Sequence, residues 1–479
     1  MHDTRERKPA FLFLQILTVF AHARKQCVDC DKIALSRFFE VCMRLNKSQI
    51  AVITVLNVMI AALVATIFLL PSIAASGGGG GGKGDTPVVT PPQEHVKLRD
   101  PIAGKVPEIS RETRLMGTGD ETVVAVYFMD GVAYIFGNAT VGDLDFDDYG
   151  GFLCRVAANG KISGFTYFDG RLTAVGIVEH GFAAAAASDG EAVIYVVGYD
   201  GEAKKAATLD GAAVDIIPIS AYRTAVVTKP NDNAFKLTEY ASAIGTEWAA
   251  EHNTHISSGY TLDYFGCYRL GNEYILTARA YSLPRYDSIV FYTFEAGGDA
   301  SAHFYGGSGD SMLQPYAVQP YSNGYILLGR RDGVAAIVTV DYSFMSYRRD
   351  LLGFSFESAE LLYCGGKYYA CFVRADGTTV YELDERLDRR AVATAKDIDL
   401  DCAIQSGGTL LAGKTSDSEA KLASADGERV LSLEISDCVF YGGCRNADGK
   451  TVLVLSATGG KALSEPSGGR DVYVVAVGV

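Results

Sequence analysis

Asp143-Leu144-Asp145-Phe146-Asp147-Asp148-Tyr149-Gly150 places carboxylates at positions i, i+2 and i+4. Calcium loops begin with that spacing, because a hard cation gathers several oxygens around one centre. Asp143, Asp145 and Asp147 are therefore the candidate metal ligands, with calcium as the cofactor. The stretch also departs from a calcium loop. Leu144 and Phe146 are apolar, and no Glu stands at the twelfth position. On a strand or solvated loop the same alternation would only turn three acids to water.

Glu251-His252-Asn253-Thr254-His255, close to Trp248, is a second cluster. On a helix, His252 and His255 would share a face. Metalloprotease spacing is H-E-x-x-H, which this is not, and a surface loop is the competing reading. Asp399 and Asp401 form an acid pair of the kind that glycan-cleaving enzymes use as acid and base. With 57 acidic residues in the chain, such pairs also arise freely. No G-x-S-x-G elbow or G-x-x-x-x-G-K-[ST] loop stands in a strand-to-helix context. No catalytic residue is assigned.

Ten cysteines divide three and seven between the two ends of the chain. Cys27-Val-Asp-Cys30 is a lone C-x-x-C, and a zinc site would need a second pair. The seven later cysteines are odd in number, so a monomer leaves at least one unpaired. Cys438 and Cys444 flank a short turn-like stretch and are the one candidate bridge.

The elements that would position these groups follow from charge and hydropathy. Ile50–Leu70 is a run of 21 residues without a charge. As a helix it is about 30 Å long, which matches a bilayer's hydrocarbon core. Residues 1–49 carry nine Lys/Arg against five Asp/Glu, a net of +4. The remainder carries 34 against 52, a net of −18. Basic flanks stay in the cytoplasm. Residues 1–49 are therefore expected inside, 50–70 as the transmembrane helix, and the C-terminal part outside. A cleaved signal peptide is the alternative, with small residues at Ser72, Ala74 and Ser76, although signal peptides use shorter apolar regions. Met43 also begins a compact basic and apolar start, which leaves 1–42 open as an upstream extension. The acidic ectodomain excludes nucleic acid as a partner, since phosphate binding needs clustered Lys and Arg.

Residues 71–104 read as a tether, glycine-rich over Gly77–Gly82 and stiffened by prolines over Thr86–Pro92. Beyond it, short apolar runs recur in units of roughly 40–50 residues. They are Val132–Gly137, Gly181–Ala187, Thr224–Thr228, Glu273–Ala278, Gly324–Gly329, Lys367–Phe372, Thr409–Gly413 and Thr451–Ser456. Each is followed by a second strand-like stretch. Several of those end in turn dipeptides, Asn159-Gly160, Asp200-Gly201 and Asp426-Gly427. Four short strands per unit is the pattern of a propeller blade. The expected fold is all-β, a single β-propeller over 105–479 with eight blades, or seven if one weak unit is not a blade. Two strand-like runs in Ile109–Met129 are expected to complete the last blade. A β-sandwich or two smaller β-domains is the competing architecture.

Val132–Ile162, with Ser322–Gly329 and Gly468–Val477 in part, resembles the degenerate repeats of bacterial membrane-anchored and surface β-propeller proteins. The resemblance implies the fold and an envelope location and carries no active site. Trp-Asp repeat signatures and sialidase Asp boxes are absent. A single tryptophan, Trp248, argues against quinoprotein rings.

These features favour a cell-membrane protein whose propeller binds an envelope protein or glycan, or serves as a scaffold. An envelope glycan hydrolase or lyase using funnel carboxylates is the alternative. A sensor is a third reading, weakened by the short inner segment. A deep funnel with converging carboxylates and basic neighbours would favour the enzyme; an aromatic-lined or plugged one would favour binding. Calcium held by Asp143, Asp145 and Asp147 is expected to raise the melting temperature, and Asp145→Ala to abolish that rise. An unchanged rise in the variant moves the site elsewhere.

Overall fold

The computed structural model describes residues 109–478, apart from short connecting segments such as 140–149, 242–247 and 306–312. Pro87–Val479 forms one compact unit. The expected membrane helix and tether lie outside the described residues, as do Cys27, Cys30, Asp426-Gly427 and the acids Asp143, Asp145 and Asp147. Among the described residues no helix is long and apolar enough to cross a membrane.

Among the described residues every regular element is a strand, and the sheets follow one another in sequence order. An initial strand, β1 (Ile109–Leu115), stands apart from its neighbours in sequence. The first blade is β2 (Glu121–Met129), β3 (Val132–Ala139), β4 (Gly150–Ala157) and β5 (Ile162–Phe168). The second is β6 (Arg171–Val178), β7 (Gly181–Ser188), β8 (Glu191–Gly198) and β9 (Ala203–Asp210). The third is β10 (Ala212–Ser220), β11 (Arg223–Asn231), β12 (Ala234–Ala241) and β13 (Trp248–His255). The fourth is β14 (Thr261–Leu270), β15 (Glu273–Ser282), β16 (Tyr286–Glu295) and β17 (Ser301–Tyr305). The fifth is β18 (Leu313–Tyr321), β19 (Gly324–Arg331), β20 (Val334–Asp341) and β21 (Ser346–Leu351). The sixth is β22 (Ser358–Cys364), β23 (Lys367–Arg374), β24 (Gly377–Leu383) and β25 (Arg389–Ala395).

The last six strands share one seven-stranded sheet with β1. Its members are β26 (Ile398–Gln405), β27 (Thr409–Thr415), β28 (Glu419–Ser424), β29 (Val430–Arg445), β30 (Thr451–Gly460), β31 (Asp471–Val477) and β1. The first part of β29 pairs with β28 and completes the seventh blade, while its later part pairs with β30 and opens the eighth. Two non-glycine residues of β29, Glu434 and Asp437, take positive φ where this hand-over occurs.

The first strands of successive blades touch in order, from β2 to β6, β10, β14, β18, β22, β26 and β29. Contact of β2 with β29 closes the ring. Eight blades therefore surround one axis, and the sandwich alternative is excluded. One expectation is corrected. Only β1 joins the final blade, pairing with β31 from Ile109↔Val477 to Leu115↔Val472. The second run, β2, is instead the inner strand of the first blade. The offset of one strand arises because the inner strands are half-buried and lack the continuous apolar run that marks the second strands.

Burial explains that bias. The second and third strands of each blade are covered on both faces by neighbouring blades. In β19, Tyr325, Ile326, Leu327 and Leu328 are all buried, and every residue of β31 is buried. Strands covered on both faces carry continuous apolar runs rather than alternation. Each fully buried Leu, Ile or Phe contributes roughly 1.5–3 kcal/mol. Turns follow the expected chemistry. Gly160 and Gly201 take positive φ, and Asn159 and Asp200 side chains accept the N–H two residues on. Asp130-Gly131, Asp189-Gly190 and Asp332-Gly333 close two-residue hairpins with positive φ at both positions.

Seven of the eight inner strands carry a bulge against their second strand; β22 alone is regular. The bulge pushes inner-strand backbone toward the second strand, which leaves no room for a side chain there. A Cβ on Gly413 would lie 2.0 Å from the Asp399 carbonyl oxygen, and one on Gly329 would lie 2.7 Å from that of Gln314. This accounts for the glycine that ends GYILLG and TLLAG. Gly413→Ala is expected to lower stability by roughly 1–3 kcal/mol, the usual cost of overpacking. Urea unfolding measures it, and an unchanged midpoint would show that the bulge yields freely.

Candidate functional site

The inner strands run in one direction around the axis, so their starts lie at one end of the ring and their ends at the other. Each end gathers a different chemistry.

At the first end, β26 carries Asp399 and Asp401, the acid pair singled out from sequence. The neighbouring inner strand β22 adds Glu360. Asp401 is the bulged residue of β26, standing between the paired positions Leu400 and Cys402. Its Oδ2 accepts the Phe440 backbone N–H at 2.9 Å, which ties the seventh blade to the eighth. Burial pushes the Asp401 carboxyl up to about 6, against the pull of that N–H and of Lys414 and Arg470. Glu360 keeps part of its surface in water. Burial, with Asp399 and Asp401 adding repulsion, pushes it up to about 7. Glu360 and Asp401 are thus both raised toward neutral pH. Sequence reading missed Glu360 because its partners are remote in the chain. Alignment of the inner strands, blade on blade, is the signal that finds it.

A related contact lies between the third and fourth blades. Tyr264 donates its hydroxyl to Asp215 Oδ2 at 2.6 Å. Burial raises both groups above their usual range. The pair is a strut between inner strands, alongside Tyr127 to the Val175 carbonyl at 2.8 Å. Asn138 completes the series, donating to the Leu172 carbonyl and accepting the Leu172 N–H.

At the opposite end, tyrosines from three blades adjoin one another. Tyr268 lies near the end of β14 and Tyr363 near the end of β22. Tyr325, Tyr342 and Tyr368 come from the fifth and sixth blades. Ring centroids are 6.2 Å apart for Tyr268 and Tyr325, 5.9 Å for Tyr325 and Tyr342, and 4.8 Å for Tyr363 and Tyr368. Tyr368 donates to the Pro320 carbonyl at 2.6 Å and Tyr342 to the Tyr321 carbonyl at 2.8 Å. Those bonds hold the array rigid. Tyr363 is 60% exposed on top of it, and Leu270 beside this end is also exposed. Exposed aromatic rings on a fixed base suit flat apolar faces, such as those of sugars or prolines.

The remaining candidates fare differently. Trp248–His255 is strand β13, so the helical geometry that would pair His252 with His255 does not arise. Among the described residues no group of three His, Cys, Asp or Glu is placed to hold a metal ion. Cys438 and Cys444 are not bridged, and all seven described cysteines are free. The supposed turn between them is continuous strand, and six residues of strand span about 20 Å. A disulfide needs a Cα separation of at most about 7 Å. Burial pushes the Cys154, Cys402 and Cys438 thiols up to about 12, so they act as packing groups.

No family model and no curated protein matches the chain. Solved structures similar to it include the Dos1 propeller, 11% identical, with 77% of this chain and 95% of that one covered at a TM-score of 0.47. BamB from Moraxella catarrhalis is 9% identical, with 76% and 100% covered at a TM-score of 0.45. The β-propeller domain of the Trilobed protease from Pyrococcus furiosus is 11% identical, with 66% and 97% covered at 0.43. At these values the fold rests on the chain's own sheet order and ring closure.

The raised acids imply a pH dependence. The folded ring holds the Glu360 proton more tightly than the unfolded chain does. That contribution is complete below about pH 4.5 and is lost as pH rises through about 7. Urea midpoints across this window should fall less steeply in Glu360→Gln than in the wild type. Identical slopes would show that Glu360 ionises normally.

Proposed function

We propose that this protein is a membrane-anchored, extracytoplasmic β-propeller that binds an envelope protein or glycan and serves as a scaffold there. The tyrosine array carries the reading. Tyr363 is presented to solvent on a base fixed by Tyr368 and the backbone carbonyls, and function has not required it to be covered. An exposed aromatic ring on a fixed base is what a binding propeller offers. The uncharged Ile50–Leu70 run with basic residues before it supports a single-pass anchor with the N-terminus inside. The glycine-rich stretch after it supports a head that stands off the bilayer.

Glycan cleavage is the second reading, and Glu360, Asp399 and Asp401 favour it. A carboxyl raised to about 7 beside one raised to about 6 can divide acid and base roles. Lys414 and Arg470 supply the basic neighbours.

One experiment separates the two. Residues 87–479, the compact unit, are incubated with solubilised envelope proteins and polysaccharides, and bound and soluble material is analysed by mass spectrometry. Binding predicts a partner retained unchanged and lost in Tyr363→Ala, with Glu360→Gln without effect. Glycan fragments that shorten with time, and stop forming in Glu360→Gln, would replace the binding reading with the enzymatic one.

A further inference from the structure

The ring closes where the first strand of the first blade meets the last blade, and an acid is buried at that seam. Glu121 opens β2 and is 2% exposed. Neither of its carboxyl oxygens has a hydrogen-bond partner. Its backbone N–H donates to the Arg470 carbonyl at 3.0 Å, so the residue is fixed against the segment that leads into β31.

The charged surroundings come from every element at the seam. β31 contributes Asp471, fully buried, and Tyr473. β1 contributes Arg114, whose Nε lies 3.7 Å from Asp471 Oδ2, and Glu112, which accepts the Ser464 N–H. Asp120 precedes Glu121 and accepts the Arg470 N–H at 2.8 Å. Arg470 reaches Asp437 of β29 at 2.7 Å. Across the strand pair, β3 sets uncharged Ala139 opposite Glu121. β6, on the other side, brings Arg171 at its exposed start. Of the seam's cations, Arg470 pairs with Asp437 and Arg114, the one that acts on Glu121, lies against Asp471.

We propose that Glu121 is a proton-controlled latch on ring closure. Protonated, it is a neutral side chain that fits the dry seam between the first and eighth blades. Ionised, it becomes a buried anion facing Asp471 and Asp120, and the strands it holds together separate. Burial, then Asp471, then Asp120 push its carboxyl up to about 8. The sign follows from linkage. The unfolded or opened chain loses this proton near pH 4.5, the closed ring only near 8. Closure is therefore strongest at acid pH, weakens as pH rises between those values, and is weakest above about 8.

The strand released first is β1, whose ladder partner is β31. Hydrogen exchange on the full chain reads this directly. After correction for intrinsic rates, protection at Ile109–Leu115 should fall by about tenfold or more relative to β14–β16 between pH 6 and 9. Glu121→Gln should hold that ratio constant. Asp120→Asn, which removes a repelling charge and keeps the carbonyl acceptor for Arg470, should move the fall to lower pH. It also serves where Glu121→Gln does not fold. A uniform loss across all blades, a fall that persists in Glu121→Gln, or an Asp120→Asn transition that does not move would overturn the proposal.

Discussion

A four-stranded sheet with apolar residues on both faces of its middle strands cannot stand alone in water. Each blade here is such a sheet, so each depends on two neighbours to cover it. Tyr325, Ile326, Leu327 and Leu328 of one strand are buried together, which a single face could not achieve. A row of blades would leave two uncovered faces at its ends. Closing the row into a ring removes both, and the rest of the molecule follows from that requirement. It selects a splayed arrangement with half-buried inner strands and more exposed outer ones. It also makes the last contact, between first and eighth blades, as necessary as any other.

Closure also dictates the backbone near the axis. Eight inner strands crowd one line, and seven relieve the crowding with a bulge at nearly the same level. The bulge turns the strand and increases its twist. Its cost appears one strand further out, where Gly329 and Gly413 have no space for a side chain. Its use appears at Asp401, the bulged residue of β26, which reaches the Phe440 N–H of the following blade. The regular strand β22 holds Glu360 next to it. Fold and candidate chemistry thus meet in the same irregularity.

The sequence disclosed what packing made uniform. All eight second strands were visible as apolar runs, because burial on both faces leaves no polar position to interrupt them. Asn159-Gly160 and Asp200-Gly201 were visible because positive φ restricts residue choice. Inner strands were harder to read. ETVVAVYFM was assigned to the wrong blade because half-burial gives no clean alternation. The span of β29 was hidden because Glu434 and Asp437 adopt positive φ without glycine to mark it. The Asp399 and Asp401 pair was legible as a local pattern. Glu360 and Glu121 were not, since a lone acid acquires meaning only from groups hundreds of residues away or on the next blade.

The seam differs from the other seven blade contacts in what it is made of. Its strand β1, ISRETRL, has little apolar surface and is mostly half-buried. Backbone pairing with β31 holds it, reinforced by side chains that bind a neighbouring blade. Arg111 donates to the Ala158 carbonyl and Thr113 to that of Gly160 in the first blade's outer turn, while Ser110 donates within its own blade to the Ala476 carbonyl of β31. Elsewhere in the ring, consecutive blades are joined through the chain itself and cannot drift far apart. At the eighth blade chain continuity is replaced by the pairing of β1 with β31, backed by apolar packing of Leu115, Val472 and Val474 against Ala133, Ile135 and Phe152 of the first blade. Hydrogen bonds exchange with water at little net cost, whereas apolar contact does not. A ring built this way has one joint that strand pairing, rather than chain continuity, completes, and that joint is the reversible one. Ionisable groups buried at the reversible joint can set its strength without disturbing the others.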